Sequence, residues 1–335
     1  MPYEPRFSIS PHLLACVEEI AGLRQRIQNA SVELAWIPAL QKDSRTRNAH
    51  ASTAIEGNPL TLPEVQALAD APEAPAHVPR SEREVVNYFA GLRFIAEHSA
   101  AERIAEADVL ALHRILGLGV MDQGFEGEYR RIRIQVGLHV PPAPEEVPAL
   151  MGELLEWWNG PSAQLSPVLS SAILHHRFET IHPFADANGR AGRALALWEL
   201  YRRGFDTHHI FSVDEYYWDD RPAYYAALRR VSEEGEDLTT WLEYSAEGLR
   251  QTLEHVWGRI RRVAGHDGQR LVLRPRQERL LNLLGSQGSM APAEIREALG
   301  VSKQGAMDLL NPLIEAGLVE KVGTHKTGRY RLRQL

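Results

Sequence analysis

A single cysteine, Cys16, stands among 335 residues, so no disulfide can form within the chain and nothing points to an oxidising compartment. No apolar run approaches the ~20 residues needed to cross a bilayer. The opening Met1-Pro2-Tyr3-Glu4-Pro5-Arg6 also lacks the basic stretch and apolar core of an export signal. These absences predict a cytoplasmic protein with no membrane partner. His98 and His113 read as helix-surface or core histidines, and adjacent His175 and His176 point about 100° apart on a helix, so they too read as core or supporting residues and not as a metal pair.

What is present is an ordinary globular balance, 44% hydrophobic and 24% charged, long enough for two or three domains. The net charge of −7 hides an asymmetry. Residues 249 to 335 carry 15 Lys and Arg against 8 Asp and Glu, whereas the rest of the chain is acidic. A basic tail on an acidic body predicts an acidic partner for the tail, nucleic acid first.

The densest chemistry lies in His182-Pro183-Phe184-Ala185-Asp186-Ala187-Asn188-Gly189-Arg190-Ala191-Gly192-Arg193, followed by the helix-forming Ala194-Leu195-Ala196-Leu197-Trp198. Asn188 and Gly189 read as the cap and first turn of a helix whose free N–H groups face an anion. Arg190 and Arg193 project about 60° apart and can grip successive phosphates. Asp186 is placed to hold a hard cation such as Mg²⁺, and His182 can take a proton from a hydroxyl near neutral pH. Phe184, apolar in a polar run, is expected to anchor the loop in the core.

Elsewhere the pattern is mainly α-helical. Leu13, Val17, Ile20, Arg24 and Ile27 keep a 3.6-residue period, and a second helix runs from about Ser44 to Glu56, stopped by Gly57-Asn58-Pro59. Glu56 thus sits at the negative end of its own helix, where a carboxylate costs about 0.3–1 kcal/mol unless a cation partners it. Residues 71–79 are proline-rich and read as a loop. Helices follow from Ser81, from Asp108 to Leu116, from Glu145 to Trp158 and from Ser166 to Phe178. Between them, Ile132, Ile134 and Val136 alternate with Arg131, Arg133 and Gln135, the period of a half-buried strand, so a small β-hairpin ending at Gly137 is expected. The tail predicts three helices, Gln277–Leu284, Ala291–Leu299 and Ser302–Ala316, then strands Leu318–Val322 and Arg329–Leu332. That is a winged helix-turn-helix layout. Ser302, Lys303 and Gln304 would open its recognition helix, with Lys326 and Arg329 in the wing, a fold that serves protein contacts as well as DNA.

Position by position, residues 182–193 resemble the Fic-family signature His-x-Phe-x-Asp/Glu-Ala/Gly-Asn-Gly-Arg-x-x-Arg, and the resemblance extends over residues 44 to about 240. Ser52-Thr53-Ala54-Ile55-Glu56-Gly57-Asn58 resembles the family's inhibitory helix, which implies that Glu56 pairs with Arg193. Arg221-Pro222-Ala223-Tyr224-Tyr225-Ala226-Ala227-Leu228 resembles the stretch bordering the adenine, although two adjacent tyrosines on a helix cannot both face one pocket, and Ser232 stands where relatives often have asparagine. The family places a flap at residues such as Ile134, Gln135, Val136 and Gly137, covering the nucleotide and aligning the target.

The organisation implied is an N-terminal region 1–80 with the inhibitory helix at about 44–56, a Fic core 81–248, a connector 249–274 and a winged helix 275–335. The activity implied is transfer of AMP from ATP to a Ser, Thr or Tyr hydroxyl of a protein target, the chain itself included, with Mg²⁺ as cofactor. In that scheme His182 is the base, Asp186 holds the metal, Asn188 and Gly189 hold the α-phosphate, and Arg190 and Arg193 neutralise the outer phosphates. Two other readings use the same residues: the reverse, deadenylylating hydrolysis with Glu56 orienting a water, and a DNA-binding regulator whose core senses nucleotide. A homodimer is compatible with all three.

Overall fold

A computed structural model describes residues 2–29, 37–70, 78–205, 209–264, 275–315, 317–323 and 328–333. Most of the expected loop 71–79, much of the connector and Lys326 lie outside the described residues.

The described chain is mainly helical. Its first helices are α1 (Pro11–Asn29), α2 (Ile37–Ile55), α3 (Leu62–Asp70), α4 (Arg80–Glu97), α5 (Glu106–Gly117) and α6 (Val147–Asn159). Next come α7 (Pro167–Ile181), α8 (Asn188–Arg202), α9 (Asp214–Asp219), α10 (Arg221–Glu233) and α11 (Thr239–Ala264). Helices α7 and α8 form a central antiparallel pair, buried along nearly their whole length, polar side chains such as Asn188, Arg193 and Glu199 included. Around them α4, α5, α6 and α11 close one continuous core, in which Trp158, Trp198 and Trp241 are the largest fully buried side chains. No described helix is long and apolar enough to cross a membrane.

The α7–α8 pair is fixed to α6 by a buried carboxylate. Glu199 is fully buried, accepting from Trp158 Nε1 and Ser170 Oγ at 2.6 Å each and pairing with Arg202 and Arg203 at 3.1 and 3.3 Å. Such a charge is tolerable only because every oxygen is occupied.

Helix α2 ends in a Schellman turn. Asn58 N–H bonds to the Thr53 oxygen and Gly57 N–H to that of Ala54, with Gly57 at φ 95°. That turn sets the direction in which Glu56 leaves the helix.

The C-terminal unit has its own core, built on Leu280, Leu284, Ile295, Leu310, Leu313 and Tyr330. Its order is α12 (Pro275–Gln287), β1 (Ser289–Met290), α13 (Pro292–Leu299), α14 (Lys303–Glu315), β2 (Val319–Val322) and β3 (Arg329–Leu332), with antiparallel sheet order β1-β3-β2. This is the expected winged helix plus a two-residue strand, too short to leave a pattern. Helix α12 also packs on α2, and Arg331 reaches Asp70 of α3 at 4.0 Å.

The expected hairpin at 129–137 is reduced. Among the described residues there, only Val136 and His139 form a bridge, around a turn at Gly137 with φ 59°. Ile132 and Val136 are 43% and 39% exposed, so the alternating residues find no face to bury, and an isolated two-stranded ribbon gains little in water.

Replacing Glu199 by Ala is expected to leave the buried Trp158 Nε1 without an acceptor and Arg202 and Arg203 without their carboxylate, lowering unfolding free energy by about 3–5 kcal/mol in urea melts.

Candidate functional site

The loop between α7 and α8 is locked before it can act. Phe184 is fully buried, its ring 3.5 Å from and parallel to that of His113. The Asn188 side chain bonds back to the Phe184 main chain, Oδ1 accepting from N and Nδ2 donating to O, both at 2.9 Å. Its amide therefore staples the loop and does not cap the helix; α8 is preceded instead by Ala187 at φ 61°, a left-handed position that glycine occupies without strain. What Asn188 can offer an anion is its main-chain N–H, alongside those of Gly189 and Arg190, which have no acceptor within the first turn of the helix.

His113 accepts the Gly127 N–H at Nδ1, so its Nε2 proton donates to the Asp186 oxygen at 3.0 Å. Asp186 receives N–H bonds from Ala187 at 2.6 Å and Asp122 at 2.9 Å, and Arg80 and Arg190 lie 4.0 Å away. The carboxylate keeps further lone pairs and is 26% exposed. A hard oxygen ligand beside an anion site suits a divalent cation.

Arg190 is 4% exposed, and its Nε and Nη1 are buried with no hydrogen-bond partner. A guanidinium with unpaired buried donors is costly unless an anion completes it, so this is the strongest structural sign of what the site receives.

Arg193, by contrast, is saturated. Its Nε donates to Ser52 Oγ at 2.8 Å, and Nη2 donates to the Ser52 oxygen at 2.8 Å and to Glu56 Oε1 at 2.9 Å; Asp214 lies at 3.8 Å. The Glu56 carboxylate reaches over Gly189, where a β-carbon would come within 2.2 Å of Oε1. A larger residue at 189 would push the Glu56 carboxylate aside.

His182 terminates α7 in the left-handed region, φ 48°. Burial holds its pKa down at about 4, a shift its bond to Glu179 and the Glu56 charge oppose and His139 and Arg130 reinforce. The imidazole is thus neutral near pH 7, able to accept a proton. Arg130, which the sequence did not single out, caps this helix end: its Nε donates to the His182 oxygen at 2.8 Å and Nη2 to that of Pro142 at 2.6 Å. Nothing in its local pattern separates Arg130 from neighbouring Arg131 and Arg133.

A cleft of about 710 Å³ opens beside His182, lined among others by Val136, Gly137, Glu179, Tyr225 and Leu228, with Ser232 at its rim. Ile134 and Gln135 neighbour that rim in sequence, and the Gln135 amide is turned to the Gly137 oxygen. The adjacent tyrosines divide as helical phase demands. Tyr225 faces the cleft under the Arg221 guanidinium, whereas Tyr224 is 1% exposed, bonded to His175 and stacked on Tyr217. The expectation that Tyr224 lines a ligand pocket is corrected: it is core.

Residues 103–200 match the Fic/DOC family, and residues 273–329 the MarR family. The chain carries a Fic/DOC domain. A solved Fic family protein from Desulfovibrio desulfuricans G20 is similar over 99% of both chains, with 29% identity and a TM-score of 0.67. Fic-1 from C. elegans shares the fold over 75% of this chain and 73% of that one, at 24% identity and a TM-score of 0.62. Among curated proteins, "Protein adenylyltransferase Fic" of Aedes aegypti is 30% identical over 245 residues, 72% of this chain and 47% of its own. That of Drosophila willistoni is 30% identical over 221 residues, 65% of this chain and 43% of its own. The chain spans less than half the length of these curated relatives.

In the winged helix, Ser302, Lys303 and Gln304 are exposed at the start of α14. Arg329, 44% exposed, bonds Glu294 at 2.8 Å and the Ser289 oxygen at 2.9 Å, linking β3 to α13.

Because the Arg190 Nε and Nη1 donors are buried and unpaired, pyrophosphate should raise the thermal midpoint of this protein, by as much as about 2.7 kcal/mol of stabilisation at a hundredfold excess over Kd. Arg190→Gln should abolish that shift.

Proposed function

We propose that the domain transfers AMP from ATP to a hydroxyl side chain of a protein, and that Glu56 holds it in check. The observation that carries this reading is the pair of arginines on one helix turn, Arg190 with buried unpaired donors and Arg193 occupied by Glu56. The similar proteins, named as protein adenylyltransferases, supply the reaction.

In the open state the α-phosphate rests on the N–H groups that begin α8, with Arg190 and Arg193 on the outer phosphates and the base in the cleft against Tyr225 and Leu228. Asp186 would hold Mg²⁺, which when bound draws charge from the phosphates. The target hydroxyl attacks the α-phosphorus, its proton passes to His182 Nε2, and the bond to the β-phosphate breaks with pyrophosphate leaving. Residues 136–139 border the cleft where an extended target segment would lie. Catalysis here is positioning and charge stabilisation.

Glu56 opposes each part. It occupies Arg193 and puts a carboxylate over Gly189, where the phosphates would rest. Misplacement by ~1 Å costs on the order of 10²-fold in rate. With labelled ATP, Glu56→Gly should therefore label itself or a target about a hundredfold faster than wild type, and adding His182→Ala should remove labelling while ATP still binds. Equal labelling of wild type and Glu56→Gly would sink the inhibitory role.

For the C-terminal unit the supported partner is duplex DNA, given its basic excess, the MarR-family match and the exposed start of α14. The full chain should shift a DNA duplex at low salt, with affinity falling steeply as salt rises and Lys303→Glu weakening it. No shift on any sequence would favour a protein-contact role.

A further inference from the structure

Glu179 is a carboxyl that the scheme above leaves idle. It precedes His182 by three residues at the end of α7, so both side chains lie on one helix face. The left-handed turn at His182 folds the imidazole back over that last turn. Its Nδ1 lies 3.3 Å from the Glu179 main-chain oxygen and 3.6 Å from the Glu179 carboxyl Oε2. The side chain is 14% exposed, and its other oxygen, Oε1, is buried without a hydrogen-bond partner. A buried carboxyl oxygen left unpaired beside a cleft is not kept for stability. Space is also made for it: a β-carbon at Gly192 on α8 would lie 2.3 Å from Oε1 and 3.2 Å from the Phe178 ring, so any larger residue there would displace the group.

We propose that Glu179 is a positioning residue for His182, its main-chain oxygen holding the Nδ1 proton and its carboxylate stabilising the imidazolium that forms when Nε2 takes the proton of the target hydroxyl. This deepens the adenylyl-transfer reading and rests on it. Proton and charge balance as follows: the hydroxyl proton becomes the Nε2 proton, the new positive charge faces the Glu179 carboxylate, and pyrophosphate leaves with the electrons of the broken P–O bond. The Nε2 proton is then lost to solvent, restoring the neutral base.

The charged and titratable groups facing the pair are Glu56 after α2, Arg193 on α8, and Arg130 and His139 from the segment bordering the cleft. Burial pushes the Glu179 pKa up to about 8; Arg193 lowers it and Glu56 raises it. With Glu56 seated, the carboxyl is mostly protonated at pH 7 and offers the imidazolium no charge. Removing Glu56 lowers the pH at which Glu179 ionises.

The test uses the full chain with Glu56→Gly as parent, comparing it with Glu179→Gln and Glu179→Asp in single-turnover transfer from about pH 5 to 9, with ATP Kd measured in parallel. The parent rate should rise with pH as the carboxyl ionises. Glu179→Gln should be about 10-fold to 100-fold slower at the top of that rise, flat across it, and unchanged within about twofold in ATP Kd, with Glu179→Asp recovering part of the rate and of the slope. A Gln variant that keeps the parent rate and profile overturns the proposal, and so does a rate loss matched by lost ATP affinity. A parent that transfers nothing overturns the adenylyl-transfer reading itself, and the proposal with it.

Discussion

One buried cation organises the site. Arg193 sits almost wholly out of water, and its guanidinium must be met on every side: by Ser52 and Glu56 from the end of α2, and by Asp214 at the start of α9, which Tyr88 of α4 holds in turn at 3.1 Å. Each contact is ordinary. What matters is that Ser52 and Asp214 belong to the frame, whereas Glu56, 35% exposed, is the one ligand that can leave without stranding the charge. The arginine is thus a permanent anchor with one exchangeable position, and a phosphate oxygen can take it.

The same constraint explains the glycines around it. Gly189 clears a path for the Glu56 carboxylate over the first turn of α8, and Gly192, about one turn further along, clears one for Glu179. Side chains at either point would press on the two carboxyl groups that bracket His182 and Arg193. Helix α2 in turn is tied on three sides. Arg259 of α11 pairs with Asp43, Arg47 pairs with Glu215 of α9 at 3.3 Å, and α12 of the winged helix packs along it. The helix that carries the inhibitory pair is therefore part of the scaffold, and exchange at Arg193 needs only the Glu56 side chain to move.

Much of this was legible from residue order alone, where chemistry is local. The run from His182 to Arg193 announces a phosphate-binding turn because base, acid, small residues and arginines are crowded into one loop and one helix start. The winged helix was readable through its apolar periods and glycine stops. Failures came where the answer depends on a distant neighbour. The alternation of Ile132, Ile134 and Val136 has the period of a strand, yet no sheet lies beneath it. Tyr224 and Tyr225 look equivalent until α10 is seated, when one ring meets His175 and the other the cleft. Asn188 looks like a cap until Phe184 is buried within its reach. Glu179 was within reach of pattern reasoning, three residues from the base, but only burial shows that its carboxyl has no other partner.

The central claim is that Glu56 and triphosphate compete for Arg193, and a double-mutant cycle on ATP affinity measures this directly. Calorimetric Kd values would be taken for wild type, Glu56→Gly, Arg193→Ala and the double variant. Competition predicts that Glu56→Gly tightens ATP binding in the presence of Arg193 and much less in its absence, a coupling above about 1 kcal/mol. Equal tightening in both backgrounds would show that Glu56 acts without Arg193 and would contradict the account.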